Sequence, residues 1–120
     1  MEKKKNIIIL HFILEYSTPG WFSITSSGSA ARTVANVLGL YEIVNATYNQ
    51  HPIYKMLGDG YFLFYSDSKH WMVGSKVGGS VGYIRTVSTG DMESPLTGWA
   101  FFNGNEWVLD QDLMVEPYNG

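Results

Sequence analysis

A chain of 120 residues is the size of one ordinary domain, long enough to bury a core without metal or disulfide and too short for two. Its formal charge of −3, from 8 basic and 11 acidic residues, sets up no field for a polyanion, and Lys3-Lys4-Lys5 is the only basic run, so no nucleic-acid partner is expected. Cysteine is absent, which excludes a disulfide framework, and 15% of the residues are aromatic, so stability has to come from packed rings.

At the amino terminus, Lys3-Lys4-Lys5 precedes the apolar run Asn6-Ile7-Ile8-Ile9-Leu10-His11-Phe12-Ile13-Leu14 and then Ser17-Thr18-Pro19-Gly20. That order is the one found in a secretory signal peptide. Against it, Glu2 and Glu15 flank the run, His11 interrupts it, and no A-x-A-like site follows. The other reading is a buried strand, which three consecutive isoleucines suit. The run is too short for a membrane span, which needs about 20 residues. Residues 1–23 therefore stand as signal peptide or N-terminal strand, and residues 24–120 as a single β-domain.

Residues 25–29 are rich in Ser and Gly and read as a linker or turn. Residues 30–38, Ala-Ala-Arg-Thr-Val-Ala-Asn-Val-Leu, are the only stretch with helical character, at most one short turn, with Gly39 as its C-cap. Beyond them the chain alternates short β-prone runs with Gly, Pro, Asn and Asp. Strands are predicted near residues 40–44, 53–57, 61–65, 70–73, 81–87, 99–102, 106–109 and 113–115. The fold class is all-β, a small antiparallel meander closing into a barrel or sandwich.

One pattern occurs twice. Gly60-Tyr61-Phe62-Leu63-Phe64, a polar turn and Trp71-Met72-Val73 are echoed by Gly98-Trp99-Ala100-Phe101-Phe102, a turn and Trp107-Val108-Leu109. Each copy reads as a β-hairpin whose return strand starts with tryptophan. Asp59-Gly60 and Asn103-Gly104 are hairpin turns in which glycine takes the positive φ. A three-residue loop 103–105 sets Phe101 opposite Trp107, and a two-residue loop sets Ala100 there. Gly74, Gly78-Gly79 and Gly82 mark bulges, close backbone approaches or a loose loop rather than a phosphate cradle, because no strand, glycine-rich loop and helix follow one another around them.

The residues Ser26-Ser27-Gly28, Leu38-Gly39-Leu40-Tyr41-Glu42, Pro52-Ile53-Tyr54, Tyr61-Phe62-Leu63-Phe64-Tyr65, Trp71-Met72-Val73-Gly74, Gly82-Tyr83, Ser94-Pro95, Trp99, Asn103-Gly104 and Trp107 carry a resemblance. Their order over about residues 24–117 resembles a repeated small β-module found in many large invertebrate and protist proteins. The family has no settled activity, so the resemblance implies a stand-alone β-module and transfers no catalytic residue. This chain departs from the tandem pattern in holding one copy.

Few residues suggest chemistry. His11, His51 and His70 lack metal-ligand spacing, and no metal or cofactor is expected. Asp110-Gln111-Asp112 with Glu116 offers oxygen ligands without the glycine and spacing of an EF-hand, and otherwise reads as a solvated turn. No G-x-S-x-G, nucleophilic cysteine or triad order is present, and no catalytic residue is expected.

The aromatics are the remaining signal. Four tryptophans and eight tyrosines exceed what a core of this size accommodates, so some rings should reach solvent, where they suit sugar faces or protein hot spots. The expected contact surface is Tyr54, Tyr65, Trp71, Tyr83 and Trp99, with Trp107 and Phe64 in the core. Asn45-Ala46-Thr47 is an N-glycosylation sequon in an expected loop, which together with the leader-like start favours secretion. The sequence thus reads as a non-catalytic binding module for a glycan or protein. The rivals are a scaffold of the cell interior that assembles through its aromatic surface, and a small hydrolase using a carboxylate pair such as Glu42 with Asp59.

Overall fold

The computed structural model describes residues 18–89 and 98–119; residues 3–14 with their leader-or-strand alternative, His11 and Ser94-Pro95 lie outside them. Nine strands form where β-branched and aromatic residues cluster: β1 (Trp21–Thr25), β2 (Gly39–Tyr48), β3 (His51–Met56), β4 (Phe62–Tyr65), β5 (Trp71–Gly74), β6 (Ile84–Thr86), β7 (Trp99–Phe102), β8 (Trp107–Leu109) and β9 (Met114–Pro117). They make one antiparallel sheet in the order β8-β7-β6-β5-β4-β3-β2-β1-β9. Eight strands follow chain order as a meander, and only the last leaves it, to pair with the first.

That exception determines the shape. The two outer strands, β8 and β9, are joined by residues 110–113 alone. In a flat sheet, eight gaps of about 4.8 Å would hold them about 38 Å apart, whereas the five peptide steps from Leu109 to Met114 reach about 18 Å. The sheet therefore curls on itself into a half-barrel. Among the described residues β8 pairs only with β7, and β9 only with β1, so the connection and not a further ladder holds the curl.

The concave side holds the main core, which includes Phe22, Ile24, Tyr41, Tyr54, Leu63, Trp71, Val73, Ile84, Trp99, Phe101 and Val115. Two short helical pieces after β1, α1 (Ala30–Thr33) and a 3-10 turn (Ala35–Val37), with Val34 between them, insert Ala30, Val34 and Val37 into it. The hydroxyl of buried Tyr41 donates to Val37 O at 2.7 Å. Burial, with Tyr61 and Asp59 nearby, pushes that phenol far above its ordinary pKa. Tyr54 donates to Pro19 O at 2.7 Å and is likewise pushed up, to about 12, by burial.

Strand alternation places a second, smaller cluster on the convex side. Ile53, Phe64 and Met72 form it, with Val44, Tyr48, Phe62 and Val77 packed around them. The glycine-rich segment 74–82 lies over this cluster. A Cβ at Gly82 would collide with Met72 Sδ and Cγ, and one at Gly78, where φ is 82°, would come within 3.0 Å of Tyr48 Oη. Of the readings offered for these glycines, close backbone approach is the one that holds.

All eight expected strands are present, and the helical stretch is short, as expected. Four local expectations are corrected. The boundary between residues 23 and 24 falls inside β1, which pairs with β2 and β9, so residues 21–23 belong to the β-domain. Gly39 opens β2 with φ 150° instead of capping a helix, because a strand partner, Ile24, already claims it. In the β3–β4 turn, Gly58 and not Gly60 takes the positive φ, at 87°. In the last hairpin Gly104 does so, at 104°, but Phe102 faces Trp107, which is neither expected register. Asn103 N–H bonds Glu106 O at 3.1 Å, and the Asn103 side chain accepts from the amides of Asn105 and Glu106. Those bonds extend the ladder one pair further toward the turn than either expected loop allows.

Candidate functional site

Four of the five aromatics expected at a contact surface are core residues. Tyr54, Tyr65, Trp71 and Trp99 are between 1% and 6% exposed. Tyr83 alone keeps solvent contact, edge-on to Tyr61 with centroids 5.2 Å apart. Phe64 is in a core, as expected, whereas Trp107, expected there too, is half-buried on the convex side. The count of rings was a poor guide because a curled sheet encloses more volume on its concave side than a flat one.

The exchange of Trp71 and Trp107 has a simple cause. In both hairpins the residue after glycine points inward: Tyr61 packs against the main core, as do Leu63 and Tyr65, and Trp99 and Phe101 do the same. The first hairpin turns after Tyr65, five residues beyond Gly60, and the second after Phe102, four beyond Gly98. With a side-chain period of two, Tyr65 faces inward and Phe102 outward. Each returning tryptophan shares the face of its partner, in the pairs Tyr65↔Trp71 and Phe102↔Trp107.

On the convex face Trp107 meets Arg85 of β6, whose guanidinium carbon lies 4.1 Å from the ring centroid. β7 runs between them and presents only Ala100 there, opposite both Arg85 and Leu109, so the long arginine crosses the intervening strand unobstructed. Phe102 supports the indole from the side at 5.4 Å.

Arg85 and Trp107 form one wall of a cleft of about 360 Å³. Met72 lies at its base, the turn Ser66-Asp67-Ser68 forms a second wall, and Gly78-Gly79-Ser80 a third. The Asp67 carboxylate is held from outside the cleft: Tyr48 donates to both its oxygens at 2.9 and 3.0 Å, and Asn49 Nδ2 to Oδ1 at 3.0 Å. The hydrogen bonds from Asn49 and Tyr48 hold its pKa below the usual carboxylate range. Asn49 donates also to Tyr65 O, with φ at 52°, in the left-handed region that asparagine tolerates. The Arg85 guanidinium, by contrast, makes no hydrogen bond or ion pair with any described residue.

A second, more open cleft of about 530 Å³ is lined by Glu42, Val44, Lys55, Met56, Leu57 and the turn Gly58-Asp59-Gly60. It brings Glu42 and Asp59 to one depression, but Lys55 is the direct cross-strand partner of Glu42. The described histidines are separate. His51 sits against the Tyr65 and Trp71 rings at 4.4 and 5.4 Å, and His70 Nδ1 is 2.6 Å from Thr86 O, which makes that nitrogen the donor. No group of three or more metal-ligating side chains occurs among the described residues. Asn45 is exposed, within β2 at its register shift rather than in a loop.

Asp110 is the functional-looking residue whose role the sequence hid. It is buried, at the start of the connection that closes the half-barrel, where its carboxylate takes Ser26 Oγ at 2.7 Å, Ala30 N–H at 2.9 Å and Asp112 N–H at 2.9 Å. It thus supplies α1 with the cap that Ser29, whose side chain makes no capping bond, does not. Burial raises its pKa, but the bonds from Ala30, Ser26 and Asp112 and the nearby Arg32 outweigh that and leave it lowered. With both its oxygens so engaged, Asp110 acts as a structural latch. No protein-family model, curated protein or solved structure matches this chain.

Proposed function

We propose that this chain is a non-catalytic binding module that recognises a glycan through the cleft between Trp107, Arg85 and the Ser66-Asp67-Ser68 turn. The observation that carries the reading is Trp107, an indole kept on the convex face, half-open to solvent and braced by Arg85 and Phe102, beside hydroxyl and carboxylate groups spaced around a cleft. Sugar rings stack their apolar faces on such an indole while hydroxyls and carboxylates take their polar edges. Secretion, with a glycan on exposed Asn45, accompanies this reading. The test is a glycan array probed with the wild-type chain and with Trp107→Ala. Signals that Trp107→Ala abolishes while its melting curve stays near wild type support the module; an array with no signal above background refutes it.

A second reading has its own support. Among the described residues strand β8 is an open edge without proline or charge, and its Leu109 (54% exposed) and the neighbouring Phe102 (37%) reach solvent, so a protein partner can add a strand there. The opposite edge, β9, is blunted by Glu116 and Pro117. Light scattering of the purified chain separates this scaffold reading, which requires assembly, from the monomeric module.

A further inference from the structure

Resting on the cleft as a saccharide site, we infer that the saccharide it takes is acidic, with a sugar carboxylate held by Arg85. The guanidinium is the basis of the inference. The guanidinium carbon lies 4.1 Å from the Trp107 ring centroid, and the N–H groups not directed at the indole can grip a carboxylate with two parallel hydrogen bonds. Among the described residues nothing accepts from those groups, although Arg85 is half-buried and lines the cleft. Its N–H groups are within reach of water, and a carboxylate that takes the place of that water gains two charge-assisted hydrogen bonds.

The surroundings agree. The two loops that frame the cleft each bring a lysine, Lys69 in one and Lys76 in the other, so three of the five basic residues in the described chain belong to this one region. Asp67 is the acidic group of the cleft lining, and Tyr48 and Asn49 already engage its oxygens. Those bonds turn the carboxylate toward Tyr48 and Asn49 and keep it charged, so the sugar carboxylate belongs on the Arg85 side of the cleft, away from it. A hexuronate satisfies all of this at once: its carboxylate meets Arg85, its apolar ring face rests on the open part of Trp107, and its hydroxyls reach Ser68 and Ser80.

Calorimetric titration with two oligosaccharides of the same linkage tests it, one of hexuronate residues and one with each carboxyl reduced to the alcohol. The hexuronate should bind at least about tenfold more tightly, as one charge-assisted bidentate contact implies, and weaken as salt is raised. Arg85→Ala should erase that preference, and Arg85→Lys should keep part of it. Equal binding of the two sugars, lost in Trp107→Ala, would overturn the acidic-ligand inference and leave the saccharide cleft standing. Binding of neither, in a chain with a wild-type melting transition, would overturn both. If Arg85→Ala unfolds, the salt dependence and Arg85→Lys decide the question alone.

Discussion

The two hairpins that share a sequence pattern, β4–β5 and β7–β8, put their tryptophans on opposite sides of one sheet. Trp71 is 2% exposed among Tyr65 and His51, while Trp107 stands on the convex face under Arg85. The outgoing run in one is a single residue longer than in the other, and that residue decides whether the ring enters the core or stays on the convex face. Similar composition in two hairpins is thus no guide to which face a residue takes when their outgoing runs differ in length by an odd number of residues.

Trp71→Ala should have the largest effect, removing about 3–5 kcal/mol of stability, read from urea unfolding. If it leaves the unfolding midpoint unchanged, the distinction between the hairpins is lost. Asp110→Ala should cost about 1–3 kcal/mol, since it strands the Ala30 amide and the Ser26 hydroxyl. Gly82→Ala should cost a similar 1–3 kcal/mol, because the new Cβ displaces Met72 from the convex cluster beside the cleft. Trp107→Ala should cost about 1–2 kcal/mol, from partial burial of the indole and its cation–π contact with Arg85, and a loss as large as that of Trp71→Ala would make it a core residue after all.

Acid sharpens the account of the latch. The folded-state pKa of Asp110 is lowered, so its contribution is present above the unfolded value of about 3.9 and is lost as pH falls through the lower folded value. Below about pH 4 the unfolding midpoint of the wild type should therefore fall faster than that of Asp110→Asn. Parallel curves would mean that the carboxylate is not held in its charged form.

The all-β meander was legible because each strand carries its own signature, as in Phe62–Tyr65 bounded by glycine and a polar turn. β1 was equally visible in principle, since Phe22 and Ile24 alternate with Ser23 and Thr25, but its short run merged with a leader-like start. The faces were not legible, since they depend on turn registers that Asn103 fixes by bonds no propensity predicts. Arg85 and Trp107 meet only because three strands lie side by side, and Asp110 finds Ala30 across 80 positions of sequence. Contacts of that kind belong to topology and leave no local trace.

The pairing of β9 with β1 also constrains when the fold can form. Phe22 faces Pro117, partners roughly 95 positions apart, so the final ladder requires the whole intervening chain to be in place. Such long-range closure is characteristic of β-proteins that fold in milliseconds to seconds. A chain emerging from the ribosome can assemble the hairpins early, but the ladder on the outer edge of β1 waits until residues 114–117 have been made.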